Sequence, residues 1–344
     1  MKKHTRFLMS IAGLLWMAAL VVFPAAASDG IRNGLTLCGE LLIPSLFPAM
    51  VASALLVQSG AIDRLGHRLN PITQRLWHLP GCSGGVFLLA MVGGYPLGAR
   101  CIRSLMDEHR LTPAQGAHLL HLCVGAGPGF GVSVVGCGLF GSVRMGLLLW
   151  GSQILSAVVL SLLRRCPAPL RITGNSTGST DGPSGCIRDA AAGMLSLCAW
   201  VLTFCSLLAL LKLLPLPAGI VTALELLAEV TAGVRTARTL GSPAAAAFVL
   251  GWGGWCVHAQ IAAVGIPCRG FMWYRFLHGL FAALCTAALL PLVPFDGTLP
   301  AGRPLHGAVT AVHTPFSLAL LGLVAVFLLQ LPVSQKNKKI SPER

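Results

Sequence analysis

The chain has 344 residues, 55% of them hydrophobic and only 10% charged, and its mean hydropathy is +0.76. This make-up excludes a soluble globular domain of ordinary composition and indicates a polytopic membrane protein. The net charge of +14, from 25 Lys and Arg against 11 Asp and Glu, falls almost wholly between apolar runs. It reads as topology signal and lipid-headgroup contact, so the bilayer is an expected partner and nucleic acid is not.

In chain order, Lys2, Lys3 and Arg6 precede the apolar run Phe7 to Ala27. The small residues Ala25 to Ala27 fit cleavage of a signal peptide after Ala27, and the length of the run fits an uncleaved first helix as well. Either way residues 1–34 form an N-terminal membrane anchor or signal segment, with residues 28–34 outside; the retained anchor is preferred. Leu35 to Gln58 then returns inward with Glu40 near its outer end, and Pro44 and Pro48 predict a kink.

Pro80 to Ala99 is apolar enough for a bilayer but is interrupted by Gly93, Gly94, Tyr95, Pro96 and Gly98. Glycine and proline loosen the helical ladder, and at membrane depth the freed backbone groups are tolerated only against protein or a water-filled cavity. Basic loops flank the segment, Arg64, Arg68 and Arg75 before it and Arg100, Arg103 and Arg110 after it. If both are cytoplasmic, the segment enters and leaves by one face as a re-entrant hairpin. His118 to Gly138, with Gly125, Gly127, Pro128, Gly129 and Gly131 at its middle, reads as a second broken helix facing the same cavity, tight small-residue packing being the alternative. Val143 to Leu163 returns to the cytoplasm, and residues 164–189 form a flexible polar linker rich in Gly, Ser and Thr.

The first interruption is echoed in Phe248 to Gln260, where Gly253, Gly254 and Trp255 stand as Gly93, Gly94 and Tyr95 stood. The span Leu35 to Gln58 is matched by Ala190 to Leu214, and Val143 to Leu163, less closely, by Phe316 to Leu331. Interrupted apolar segments at corresponding places in two halves point to a transporter-type binding site. A first repeat over 35–163 starts outside and a second over 190–332 starts at the cytoplasmic face, followed by a basic tail, 333–344. The expected fold is therefore an all-α polytopic membrane protein of two inverted-topology repeats, each with a glycine-broken re-entrant hairpin. In a strictly inverted arrangement Arg235, Arg238, Arg269, Arg275 and the tail lysines would fall outside. Either Ala218 to Val234 crosses fully or these charges are overruled.

Of the acidic residues, Glu40, Glu225 and Glu229 lie in apolar surroundings, and an ionisable group at membrane depth is a functional candidate by default. Glu225 and Glu229 are spaced to share a helix face, where paired carboxylates can hold and release a proton. The alternative is an interfacial amphipathic helix with both glutamates wet. His258 and Gln260 follow the second glycine break, and Arg100 takes the repeat position of Gln260; each is a candidate solute contact or a span-end cap. The 12 cysteines show no CxxC pair and no Cys/His ligand spacing, so they read as packing residues and no metal is expected. Cys166 and Cys186 flank the linker and can pair only outside a reducing compartment. There is no HExxH motif, no pair of intramembrane aspartates and no P-loop; no catalytic residue or cofactor is expected, and transport would be passive or ion-coupled.

Taken in order, PSLFPAMVASALL, GGYPLGA, the GAGPGF run, LLAEVTAG and GWGGWCVHAQ resemble the YlbJ-type sporulation integral membrane proteins, with two nucleoside-recognition "Gate" domains, and more distantly the concentrative nucleoside transporters. The resemblance runs from about Leu35 to Leu290. It implies a role in endospore formation and movement of dipicolinic acid across a forespore-surrounding membrane, with a nucleoside-type transporter or a non-transporting scaffold as alternatives. It carries over Gly93 to Gly98, Glu229, Thr231, Gly233, Gly253, Gly254 and Gln260, with Glu229 and Thr231 toward a coupling proton or cation. The solute contacts expected are Gly93, Gly94, Tyr95, Pro96, Gly98, Gly127, Pro128, Gly253, Gly254, His258 and Gln260; a homo-oligomer stays open. The pattern departs at Cys123, Val124 and Gly125, where related proteins tend to carry Asn.

Overall fold

The computed structural model describes residues 3–163 and 182–293. The chain divides into two units, Met1–Leu299 and Pro300–Arg344, and every described residue belongs to the first. Most of the polar linker, Cys166, the span Phe316 to Leu331 and the basic tail lie outside the described residues.

Among the described residues the fold is helical throughout. After α1 (Lys3–Val22) comes a continuous helix α2 (Pro24–Gln58), then α3 (Ala61–Trp77), α4 (Cys82–Gly93), α5 (Tyr95–Asp107), α6 (Pro113–Cys123) and α7 (Gly129–Leu139). The series continues with α8 (Val143–Leu162), α9 (Gly182–Leu211), α10 (Ala218–Ala228), α11 (Val230–Thr239), α12 (Pro243–Trp252), α13 (Gly254–Val264) and α14 (Phe271–Leu289). Five stretches among the described residues are long and apolar enough to cross a bilayer: Pro24–Gln58, Val143–Leu162, Gly182–Leu211, Pro243–Val264 and Phe271–Leu292. The protein is thus a multi-pass membrane protein.

Local sequence sets the helix starts. Thr112 and Gln115 form a reciprocal capping box at α6, Ser142 accepts from the Met145 amide at α8, and Ser242 accepts from the Ala245 amide at α12; each satisfies an amide that a helix start leaves without an internal partner.

Two helix pairs double back. A Cβ added at Gly98 of α5 would stand 2.8 Å from the Cβ of Ala90 on α4. Residues eight positions apart on one straight helix are separated by about 12 Å, so the chain reverses at Gly94. The second pair repeats the geometry: a Cβ at Gly233 of α11 would lie 3.2 Å from the Glu225 carbonyl oxygen on α10, and the Thr236 hydroxyl donates to Glu225 Oε2 at 2.6 Å. Pro80 to Ala99, expected as a re-entrant hairpin, folds as two helices, α4 and α5, that turn back on each other at Gly94. Ala218 to Val234 also folds back on itself, as α10 and α11, and is not one straight helix.

The helix contacts correspond between the two halves. Each hairpin is followed by a span broken in its middle, α6–α7 after α4–α5 and α12–α13 after α10–α11. Helix α5 packs on α13 as α11 packs on α7; α8 packs on α12 as α14 packs on α6; and α8 meets α14 as α2 meets α9. This correspondence sets Gly94 opposite Glu229 and residues 124–128 opposite Gly253. In these contacts Gly93–Tyr95 lies at a hairpin tip and Gly253–Trp255 at the break between α12 and α13; the expected counterpart of Val143 to Leu163, Phe316 to Leu331, lies outside the described residues.

Helix boundaries also differ from expectation. The helix expected from Leu35 begins at Pro24, and residues 28–34, expected outside, lie within it. Its small residues explain this: a Cβ at Gly30 would stand 2.8 Å from the Cys205 carbonyl oxygen, so α2 and α9 approach closely there. The kink signal around Pro44 coincides with a π-type turn at Cys38–Leu42. Helix α9 begins at Gly182, so the last residues assigned to the linker are its first turns.

Candidate functional site

The breaks in the helices come together in two places. At the first, Gly94 has φ 80° and ψ −168°, a backbone region open essentially to glycine. It lies against Gly127, since a Cβ on Gly94 would stand 3.1 Å from the Gly127 amide nitrogen and a Cβ on Gly127 would stand 2.7 Å from the Val92 carbonyl oxygen. Pro96 opens α5 and Pro128 precedes α7, positions where a missing amide hydrogen costs nothing. A side chain at Gly98 would collide with the Cys123 carbonyl, and one at Gly93 with Leu97. The expected contacts Gly93, Gly94, Tyr95, Pro96, Gly98, Gly127 and Pro128 thus form one cluster, a hairpin tip seated on a broken span.

The second cluster has the same construction with a different residue at the tip. The chain leaves α10 at Glu229 in an extended conformation, φ −140° and ψ 133°, and the Glu229 carboxylate accepts from the Ala232 amide at 2.8 Å, capping α11. Glu229 is 3% exposed and Thr231 4%. A Cβ on Gly254, which has φ +72°, would stand 3.0 Å from the Ala228 carbonyl oxygen. The break at Glu229 separates it from Glu225, which pairs with Lys212 at 2.5 Å and with Thr236. The expected pair of carboxylates sharing one helix face does not exist.

The broken backbone is satisfied by side chains from neighbouring spans, the accounting a membrane interior demands. Gln153 of α8 donates Nε2 to the Ala126 carbonyl at 2.7 Å and accepts the Ala126 amide at 3.0 Å. Its amide serves the backbone beside Cys123, Val124 and Gly125, where an Asn was missing from the pattern. Tyr95 donates to the Leu250 carbonyl at 2.7 Å, and Trp252 Nε1 to Leu227 at 2.9 Å.

Arg275 of α14 joins the two broken spans. It is fully buried, donates Nη1 to the Val124 carbonyl at 2.5 Å and Nε to the Trp252 carbonyl at 3.4 Å, and gives Nη1 to Nδ1 of His278 at 2.7 Å. Because guanidinium only donates, His278 Nδ1 accepts and its Nε2 hydrogen goes to the Gln153 carbonyl at 2.7 Å. Read from sequence, Arg275 counted among the charges that would fall outside; here it is core. A polar residue in the middle of an apolar span is the signal that would have found Gln153, at the centre of α8; Arg275 lies in the second turn of α14.

Of the remaining candidates, His258 borders the second cluster, and Gln260 and Arg100 lie apart from both. His258 bonds the Gly254 carbonyl through Nδ1 at 2.6 Å and stacks on Trp252 at 4.2 Å between ring centroids; its Nε2 is buried without a hydrogen-bond partner. Gln260 and Arg100 border one cavity of about 680 Å³ together with Arg103 and Ser196. Arg100 also borders a second cavity of about 530 Å³ with Met50, Glu108 and Asp189. Neither cavity is lined by Gly94, Glu229 or Gly254. Ser83 sits in a Gly-x-Ser-x-Gly pattern, is 1% exposed inside α4, and its hydroxyl has no hydrogen-bond partner among the described residues. Among the described residues no cluster of His, Cys, Asp and Glu could hold a metal ion.

No family model and no solved structure matches the chain. Over 152 residues it is 27% identical to the sporulation integral membrane protein YlbJ of Bacillus subtilis (strain 168), a stretch that covers 44% of this chain and 37% of that protein. The molecule is an integral, multi-pass membrane protein that is similar, over that stretch, to a distant relative named for sporulation.

Proposed function

We propose that the protein is a transporter of a small solute, an anion such as dipicolinic acid moved across a membrane surrounding the forespore, and that it works without a cofactor and without enzymatic chemistry. The observation that carries this reading is the seating of two hairpin tips on two broken spans, Gly94 on Gly127 and Glu229 on Gly254. Broken backbone inside a bilayer is tolerated against protein or where it lines a water-filled cavity; this reading takes the paired tips as protein-packed in the present arrangement and as part of a solute path once the hairpins move. The two halves are read as inverted-topology repeats with Gate-like character, each contributing one hairpin and one broken span. Helix starts at Tyr95, Gly129 and Gly254 present amides suited to carboxylates, while Glu229 already caps the start at Val230.

In this reading Arg100 and Gln260, at the mouth of the 680 Å³ cavity, meet the solute first, and hairpin movement admits it to the tips. Glu229 and Thr231 hold the coupling proton or cation. Purified protein titrated with dipicolinate, and separately with nucleosides, tests the proposal. Saturable binding of dipicolinate supports it; saturable binding of nucleosides alone moves the substrate class; binding of neither supports a membrane scaffold.

A further inference from the structure

Two half-helices end at this site with carbonyls that a continuing helix would have used. Val124 follows the last turn of α6, and Trp252 closes α12. The C-terminal end of a helix carries about half a negative charge, and two such ends in a dry environment attract a cation. In membrane proteins with broken helices, unwound carbonyls and half-helix C-termini coordinate sodium or protons. The same place in this protein holds Nη1 and Nε of Arg275, on the Val124 and Trp252 carbonyls. The guanidinium is 0% exposed; among the described residues none of its hydrogen bonds goes to a carboxylate and Nη2 is buried without a hydrogen-bond partner. A Cβ added at Gly253 would lie 3.5 Å from that Nη2, so the free donor faces the break itself. A buried unpaired charge is strongly disfavoured unless something else offsets it. The offset available here is the pair of helix ends.

We infer that Arg275 is a tethered cation filling the monovalent-cation position between the two broken spans, so that the protein needs no alkali ion there. The carbonyls that would ligate such an ion are held by the chain, and the joint between the halves is permanently charged. Arg275 is a positioning residue. The inference goes beyond the transport reading and does not rest on it, because its readout is stability and holds whether or not a solute moves.

The test compares wild-type protein with Arg275→Ala and Arg275→Gln in detergent, as thermal unfolding midpoints in sodium chloride against choline chloride at constant ionic strength. Wild type is expected to show no sodium response from this joint: any difference between the two salts arises at Glu229 and disappears in Glu229→Gln. The neutral variants are expected to unfold at lower temperature in choline and to regain part of the loss in sodium, or with millimolar guanidinium, since the vacated carbonyls then accept a free cation. An arginine that only fills space would not confer a sodium response on its replacement. A sodium-dependent midpoint that persists in Glu229→Gln, or neutral Arg275 variants no more responsive to sodium and guanidinium than wild type, overturns the inference. If neither neutral variant accumulates in the membrane, Arg275→Lys decides: accumulation of the lysine variant supports a requirement for charge, and its loss with the others overturns it.

Discussion

Gly254 lies against Glu229, with the position of a Gly254 Cβ falling 3.2 Å from the Glu229 Cα. This contact joins the tip of the second hairpin to the break in the following span, as Gly94 and Gly127 join the first. Any side chain at Gly254 meets backbone that cannot rotate away, and the φ of +72° adds strain of about 1–3 kcal/mol for a residue other than glycine. Gly254→Leu and Gly94→Leu are expected to insert, at normal protein level, with lowered unfolding midpoints and no solute flux. Quantitative blotting of membranes beside a flux assay checks this; loss of the protein from the membrane would assign these glycines to packing alone.

Glu229→Gln keeps an oxygen to accept the Ala232 amide and removes the charge, so the α11 cap persists. Ion-driven accumulation should fall while equilibrium binding of solute remains. Glu225→Gln loses a pairing with Lys212, whose side chain is 51% exposed; such a pair contributes no more than about 1 kcal/mol, and accumulation should stay near wild type. The two variants are compared by initial uptake rates with and without an imposed proton gradient.

Gln153→Leu is expected to be the most destabilising single change in α8. It leaves both polar groups of the Ala126 peptide without the Gln153 amide, at a cost of about 1–3 kcal/mol for each buried group left unsatisfied. Trp150 Nε1, at 3.2 Å from the Ala126 carbonyl, retains part of that loss. Gln153→Glu keeps an acceptor for the amide only and should fall between the two in unfolding midpoint.

Because α4 and α5 double back at Gly94, single cysteines placed at Arg68 and Arg103 in a cysteine-free background should label from one side of the membrane. Arg68 is exposed on α3, and the Arg103 side chain is 43% exposed beside Asp107, so both sites are accessible to a membrane-impermeant maleimide. Labelling from opposite sides would remove the hairpin.

The helical, membrane-spanning character and both glycine breaks were legible in the sequence, because apolar runs and Gly-Pro clusters report directly on bilayer burial and ladder rupture. The residues at which the second hairpin turns were not. A chain can reverse through a glycine with positive φ, as at Gly94, or through an extended capping residue, as at Glu229, so equivalent places need not carry equivalent residues. Glu225 and Glu229 misled for the same reason: helical spacing implies a shared face only while the helix continues. Arg275 could not be separated by sequence from a topology charge, since an arginine near a span end and one between two broken helices look alike until the packing is known.

The most direct test of the account is uptake of radiolabelled dipicolinate into liposomes reconstituted with purified wild-type protein, beside liposomes carrying Gly94→Leu. The account predicts saturable uptake by wild type above that of protein-free liposomes and uptake at the protein-free level for the variant. Equal uptake by wild-type and protein-free liposomes, from protein that is folded and correctly inserted, would contradict it.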